Sequence, residues 1–208
     1  MERRIALIDY GLGNIRSVSK ALEKAGAYVK VTADSKEIVK AEGVVLPGVG
    51  AFERGARNLL TLSLTSLLPR LIREGKAFLG ICLGLQLLFE RSEESREWKG
   101  LGVLKGEVRR FEPCEGLKVP HMGWNKIKVK KRKEKGMFTG VLEEEAYFYF
   151  VHSYYVIPQE EDIVLATADY GKEFVCAVAK GRLWGVQFHP EKSGKVGLEV
   201  LKNFLSLC

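Results

Sequence analysis

Gly80-Ile81-Cys82-Leu83-Gly84 places a cysteine between two glycines, at the junction of an expected strand and an expected helix. Upstream, Ala77 to Ile81 is an apolar run of strand length that follows the turn signal Glu74-Gly75-Lys76. Downstream, Leu85, Leu87, Leu88 and Phe89 read as a buried helix. Gly-x-nucleophile-x-Gly at such a junction is a nucleophile elbow, in which small flanking residues permit a sharp, strained turn that exposes the central side chain. At a helix N-terminus the backbone amides favour thiolate, the reactive form of the side chain. The amide of Leu83 would face an oxyanion formed by attack. Most free cysteines are simply small buried residues, so the reading needs a base elsewhere in the chain.

There are three histidines, His121, His152 and His189, and one has a carboxylate at a useful offset. His189-Pro190-Glu191 follows the β-rich run Leu183 to Phe188. In extended chain, residues i and i+2 project to the same side, so Glu191 can reach the imidazole and fix its tautomer. Cys82, His189 and Glu191 thus supply nucleophile, base and orienter.

Three stretches, Leu46-Pro-Gly-Val-Gly50, Gly80-Ile-Cys-Leu-Gly-Leu-Gln86 and Gln187-Phe-His-Pro-Glu191, occur in an order and spacing that closely resembles the class I, triad-type glutamine amidotransferases. The resemblance implies a flavodoxin-like three-layer α/β fold, with a central mixed, largely parallel sheet and a β-rich C-terminal half. At 208 residues the whole chain, 1–208, is expected to form a single domain. Two further stretches, Ile8-Asp-Tyr-Gly-Leu-Gly-Asn-Ile-Arg-Ser-Val18 and Pro120-His-Met-Gly-Trp-Asn125, are similar to the histidine-biosynthesis branch of that family.

The composition is that of a globular protein, 46% hydrophobic and 28% charged. A net charge of +7 raises nucleic-acid binding as a function class. The densest basic run, Lys126 to Lys135, opens with Lys alternating with Ile127 and Val129. That is the pattern of a strand with one solvated face, and no nucleic-acid motif accompanies it. Cys82, Cys114, Cys176 and Cys208 form no CxxC pair, so neither a zinc site nor a disulfide framework is expected, and no cofactor is called for. No apolar run approaches the roughly 20 residues that span a bilayer, and no signal peptide precedes the first strand, which points to the cytoplasm.

Along the chain, strands are expected at Arg4 to Asp9, Ala27 to Thr32, Gly43 to Leu46, Val103 to Phe111, Trp124 to Lys130, and Ala146 to Val151 continuing through Tyr155. A late β region covers Ile163 to Tyr170, Phe174 to Ala179 and Leu183 to Phe188. Helices are expected at Ile15 to Ala25, Ser35 to Ala41, Phe52 to Leu60, Leu64 to Glu74 with a bend or boundary at Pro69, Gly136 to Leu142, and Lys195 to Leu207. Gly11-Leu12-Gly13 before a helix is a lone GxG and carries no nucleotide site by itself. Ser92 to Ser95 reads as a solvated helix end, and His121 as a loop histidine.

The resemblance implies L-glutamine as substrate and ammonia as a product delivered inside a heterodimer to a (β/α)₈ cyclase subunit. It implies oxyanion donors at Leu83 and in the loop carrying Val49 and Gly50, with substrate contacts at Gln86, Glu94, Ser153 and Tyr154. It also implies an ammonia exit near Lys192, Tyr149 and Trp124, with Asn14 and the 120–125 segment toward the partner. Three other readings stay open on the residues alone: a glutaminase of another synthase, a stand-alone cysteine hydrolase, and a basic binding module with a structural Cys82.

Overall fold

The computed structural model describes residues 2–112, 116–130, 136–141 and 146–208. Its N-terminal half alternates strand and helix: β1 (Arg3–Ile8), α1 (Ile15–Lys24), β2 (Ala27–Thr32), α2 (Ser35–Lys40), β3 (Gly43–Leu46), α3 (Phe52–Thr61), α4 (Leu64–Arg73), β4 (Ala77–Ile81) and α5 (Leu83–Gln86). Strands then dominate: β5 (Arg91–Ser92), β6 (Gly106–Arg110), β7 (His121–Val129), β8 (Tyr147–His152), β9 (Tyr154–Pro158), β10 (Val164–Asp169), β11 (Glu173–Lys180) and β12 (Leu183–Val186). The helix α6 (Gly194–Leu205) closes the chain.

The sheet runs β2-β1-β3-β4-β12-β11-β10-β7-β8, with β9 joined to β11 and β6, and β5 to β6. From β2 to β12 the neighbours are parallel, and from β12 onward they are antiparallel. Strand side chains alternate between two buried faces, so strands in this half read as continuous apolar runs. Ile5, Leu7, Val45, Leu79 and Ile81 pack with Val18 and Leu22 of α1 and with Val200, Leu201 and Phe204 of α6. Ala6, Ile8, Val44, Leu46 and Phe78 pack on the other side with Ile38 of α2, Phe52 and Leu59 of α3, and Leu68 and Leu71 of α4. These are the three layers expected, and no helix among the described residues is long and apolar enough to cross a membrane.

Several local expectations are corrected. The helix after Cys82 is a single turn, because the carbonyls of Leu87, Leu88 and Phe89 accept hydrogen bonds from Leu101, Val103 and Gly102 rather than continuing a helical ladder. Helix α4 runs through Pro69 without a boundary there, at the expense of the one amide hydrogen bond that proline cannot donate. The 146–155 run is two strands, broken at Ser153: β8 pairs with β7, whereas β9 pairs with β6 and β11. Strand β7 starts at His121, three residues before the expected Trp124, so the 121–125 stretch is strand and not loop. Residues 92–95 form the end of β5 and a turn, not a helix end. The segment 137–141 is a turn, and Leu142 lies outside the described residues, as do Cys114 and the end of the basic run, 131–135. Lys126, Lys128 and Lys130 do lie along one strand and its end.

Candidate active site

Strands β4 and β12 are parallel neighbours, with Gly80 opposite Gly185 and Ile81 opposite Val186. Their C-terminal ends therefore deliver Cys82 and, three residues past β12, His189 to one edge of the sheet, where open α/β sheets place their ligands. The Cys82 amide donates to the Val186 carbonyl at 2.7 Å, tying the two ends together.

Cys82 itself has φ 54° and ψ −108°, a conformation that costs a non-glycine residue on the order of 1–3 kcal/mol. The turn is possible because the backbone beyond it approaches β3 closely: a Cβ on Gly84 would lie 1.9 Å from the Leu46 carbonyl oxygen. The cysteine is only 4% exposed, so the elbow is buried rather than open as the sequence suggested. Val151 and Gln187 cover it, the thiol facing the Val151 carbonyl at 3.9 Å and the Gln187 carboxamide donating to the sulfur at 3.5 Å.

His189 Nδ1 and Glu191 Oε1 are 2.8 Å apart, and both side chains are almost fully buried. Burial alone pulls this imidazole down, but Cys82 and Glu191 outweigh it and raise its pKa to about 10. Nε2 is buried with no hydrogen bond of ordinary geometry, and Cys82 is the neighbour that raises this imidazole most, ahead of Glu191. Glu191 Oε2 is likewise buried without a partner, which leaves its negative charge to the imidazolium.

The loop after β3 lies against the elbow. A Cβ on Gly48 would meet the Tyr10 hydroxyl at 2.3 Å and Leu83 Cβ at 2.8 Å, so only glycine fits. The Leu83 amide donates to the Gly48 carbonyl at 3.3 Å, and Val49 and Gly50 are exposed beside it. In this conformation the expected oxyanion donor is occupied by the neighbouring loop.

Of the expected substrate contacts, Gln86 and Tyr154 are brought together: Gln86 Nε2 donates to the Tyr154 carbonyl and to Gln187 Oε1, each at 3.1 Å. Ser153 is the adjoining break between β8 and β9, its carbonyl accepting from the Phe111 amide. Glu94 is engaged elsewhere, accepting from the Phe52 amide at 2.8 Å and so capping α3, whose own N-cap residue Ala51 has no side chain to do so. Lys192, Tyr149 and Trp124 do assemble: the Lys192 ammonium lies 5.5 Å from the Tyr149 ring centroid, and the Trp124 and Tyr149 rings meet edge to face at 6.1 Å. Asn14 caps α1 by accepting from the Ser17 amide. Among the described residues no group of three metal-ligating side chains occurs.

Sequence reading missed Gln187 and the buried pair His121–His152. Glu191 reaches the imidazole from the 3₁₀ turn Pro190–Lys192 and not by strand alternation as expected. The signal for Gln187 was its place two residues before His189 at the end of a β-rich run. The histidine pair had none, since it depends on β7 and β8 lying in register with His121 opposite His152.

A sheet of this order with a buried cysteine, histidine and glutamate at its edge defines a class, and a family model agrees: residues 6–208 match the class-I glutamine amidotransferases, and the chain belongs to that family. Solved structures share the fold at low identity, among them one titled as a glutamine amidotransferase (TM-score 0.75, 20% identity, 97% of each chain). Another is PurLQS from Thermotoga maritima (TM-score 0.76, 21% identity, 99% of each chain). Within the family the chain falls with the subunit named HisH of imidazole glycerol phosphate synthase. It is 51% identical to that of Moorella thermoacetica, over 97% of this chain and 94% of the relative. It is 50% identical to that of Geobacter sulfurreducens, over 97% of each.

Proposed function

We propose that this chain is the glutaminase subunit of imidazole glycerol phosphate synthase, hydrolysing L-glutamine to glutamate and ammonia at Cys82. The observation that carries the reading is a buried cysteine on a strained elbow, at the same sheet edge as an imidazole whose protonated form Glu191 holds at 2.8 Å.

The Cys82 proton passes to His189, and the thiolate attacks the side-chain carbonyl carbon of glutamine to give a tetrahedral oxyanion. Collapse breaks the carbon–nitrogen bond while the imidazolium gives its proton to the leaving nitrogen, releasing ammonia and leaving a γ-glutamyl thioester on Cys82. His189 then takes a proton from water, hydroxide adds to the thioester, and the thiolate departs. Two amides suit the oxyanion, those of Leu83 and Val49. Both are reached by turning the Gly48–Val49 peptide, which withdraws the Gly48 carbonyl from Leu83 and swings in the Val49 amide. Losing one such donor costs on the order of 10²- to 10³-fold in rate. Gln86, Ser153 and Tyr154 line the glutamine site, with Gln86 Oε1 left to accept from the substrate, and Glu94 borders it through the α3 cap.

The ammonia is used by a (β/α)₈ cyclase subunit in a cytoplasmic heterodimer, which makes imidazole glycerol phosphate and aminoimidazole carboxamide ribotide in histidine biosynthesis. The lyase step belongs to that partner. Its docking surface on this chain is the β7–β8 ribbon, where Met122 and Trp124 are 62% and 58% exposed, together with Asn14 at the start of α1. Lys192, Tyr149 and Trp124 border the ammonia exit there.

The test is glutamate release by the purified chain, alone and with the cyclase subunit and its ribotide substrate. Release that rises strongly in the complex and vanishes in Cys82→Ser supports the reading. Equal release with and without the partner would move the chain to another synthase, and unchanged release in Cys82→Ser would remove the nucleophile. Lys192→Ala is expected to lower product formed per glutamine consumed, and full coupling in that variant would take Lys192 out of the exit.

A further inference from the structure

Outside the triad, one nitrogen donor among the described residues reaches the reacting sulfur. It is Nε2 of Gln187, 3.5 Å from Cys82 Sγ, on a side chain with no exposed surface. A carboxamide can present either its NH₂ or its oxygen, with opposite effects on a thiolate. The surrounding hydrogen bonds decide which. The Tyr154 carbonyl can only accept, so Gln86 turns its NH₂ toward it at 3.1 Å. The same NH₂ donates to Gln187 Oε1 at 3.1 Å. That fixes the Gln187 oxygen on Gln86 and leaves its NH₂ for the sulfur.

The Tyr154 carbonyl is itself held from the other side. His152 Nδ1 lies 2.8 Å from it, so that nitrogen carries the proton and Nε2 accepts from His121 Nδ1 at 3.0 Å. His121 Nε2 accepts in turn from Asn125 at 3.3 Å, and the second hydrogen of that amide goes to the Asp169 carbonyl at 2.7 Å. The chain of donors ends on a backbone carbonyl at each side, Asp169 and Tyr154, and neither can reverse. Both imidazoles are therefore neutral, as burial also favours, with pKa values held down to about 3 for His152 and about 4 for His121.

We propose that Gln187 is a further catalytic residue of the glutaminase, donating a hydrogen bond to the Cys82 thiolate, and that Gln86 and the His152–His121–Asn125 chain act through it as positioning residues. A hydrogen bond to a charged acceptor is about twice as strong as one to a neutral group, so the contact favours thiolate over thiol without engaging His189. The imidazolium keeps its proton for the departing ammonia. The same donor receives the sulfur's charge again when the thiolate leaves the second tetrahedral intermediate, so the contact serves both halves of the reaction.

This inference rests on the glutaminase reading for its effect on turnover, but the sulfur contact can be tested separately. In the complex with the cyclase subunit, Gln187→Leu removes the donor at similar volume, and Gln187→Glu keeps the shape while turning an acceptor to the sulfur. Carbamidomethylation of Cys82 by iodoacetamide, followed on its own peptide across the neutral pH range, is expected to slow roughly tenfold or more near neutrality in Gln187→Leu. The pH profile moves to higher pH, further still in Gln187→Glu. In both variants kcat for glutamine is expected to fall, with KM held in Gln187→Glu, which keeps the oxygen that accepts from Gln86. If Gln187→Leu does not fold, Gln187→Glu carries both readings. Alkylation profiles that coincide with the parent's in a folded variant overturn the proposal. A parent complex that alkylates normally but releases no glutamate would instead sink the glutaminase reading.

Discussion

At the scale of single residues, the site is an arrangement for keeping charge where water is absent. Glu191 is buried against His189, and with Cys82 it overcomes the burial that alone would keep the imidazole neutral, lifting its pKa to about 10. Replacing Glu191 by Gln removes that negative charge at constant shape. The imidazolium then loses its proton at lower pH, so the alkaline limb of kcat/KM against pH should move to lower pH, with kcat down on the order of 10²- to 10⁴-fold. An alkaline limb that stays put in the variant would show that Glu191 orients the ring without holding its charge. The same sign holds for stability. A histidine whose folded pKa is raised contributes fully below its unfolded value near 6.5 and loses that contribution as pH climbs through about 10.

At the scale of elements, the site depends on close approach between β3, its loop and the single turn of α5. With 1.9 Å between a Cβ on Gly84 and the Leu46 oxygen, Gly84→Ala forces these elements apart. The expected cost is about 1–3 kcal/mol, read as a lower urea midpoint, together with loss of glutaminase activity. The cap that Glu94 gives to α3 holds the far end of the same loop. Glu94→Ala should cost about 1 kcal/mol. If the residue also meets the substrate ammonium, KM for glutamine rises in Glu94→Gln as well; an unchanged KM leaves it a cap alone.

At the scale of the whole molecule, two features face opposite ways. Inside, His121 and His152 join β7 to β8 and are neutral when folded, with pKa values near 4 and 3 against about 6.5 in the unfolded chain. Below about 6.5 the unfolded chain takes up protons that the folded one refuses, so stability falls with acidification down to those values. The slope is at most about 1.4 kcal/mol per pH unit for each histidine. Chemical denaturation through that range should show a shallower acid loss in His152→Gln. Outside, Met122 and Trp124 on the same strand are exposed. Trp124→Ala should leave the chain's own stability nearly unchanged while weakening assembly with the cyclase subunit roughly tenfold or more in Kd. An unaltered Kd would move the interface elsewhere.

Local pattern was enough for much of this. Apolar runs of strand length, alternating with helical periodicity, placed β1 to β4 and α1 to α4 within a residue or two, because in a parallel sheet buried on both faces each element carries its own signal. The elbow glycines and the His-Pro-Glu stretch were enough to nominate Cys82, His189 and Glu191, because residues so near in sequence must lie near in space, although a 3₁₀ turn and not extended chain brings Glu191 to the ring. What the sequence left undetermined involves partners distant along the chain. Leu87 to Phe89 resemble helix but give their carbonyls to residues 101–103. The 146–155 run divides at Ser153 because its halves pair with different strands, the first with β7 and the second with β6 and β11. The neutrality of His121 and His152 follows from a register that only tertiary pairing sets, and so does the direction of the Gln187 amide at Cys82, since a carboxamide has no intrinsic preference for either end.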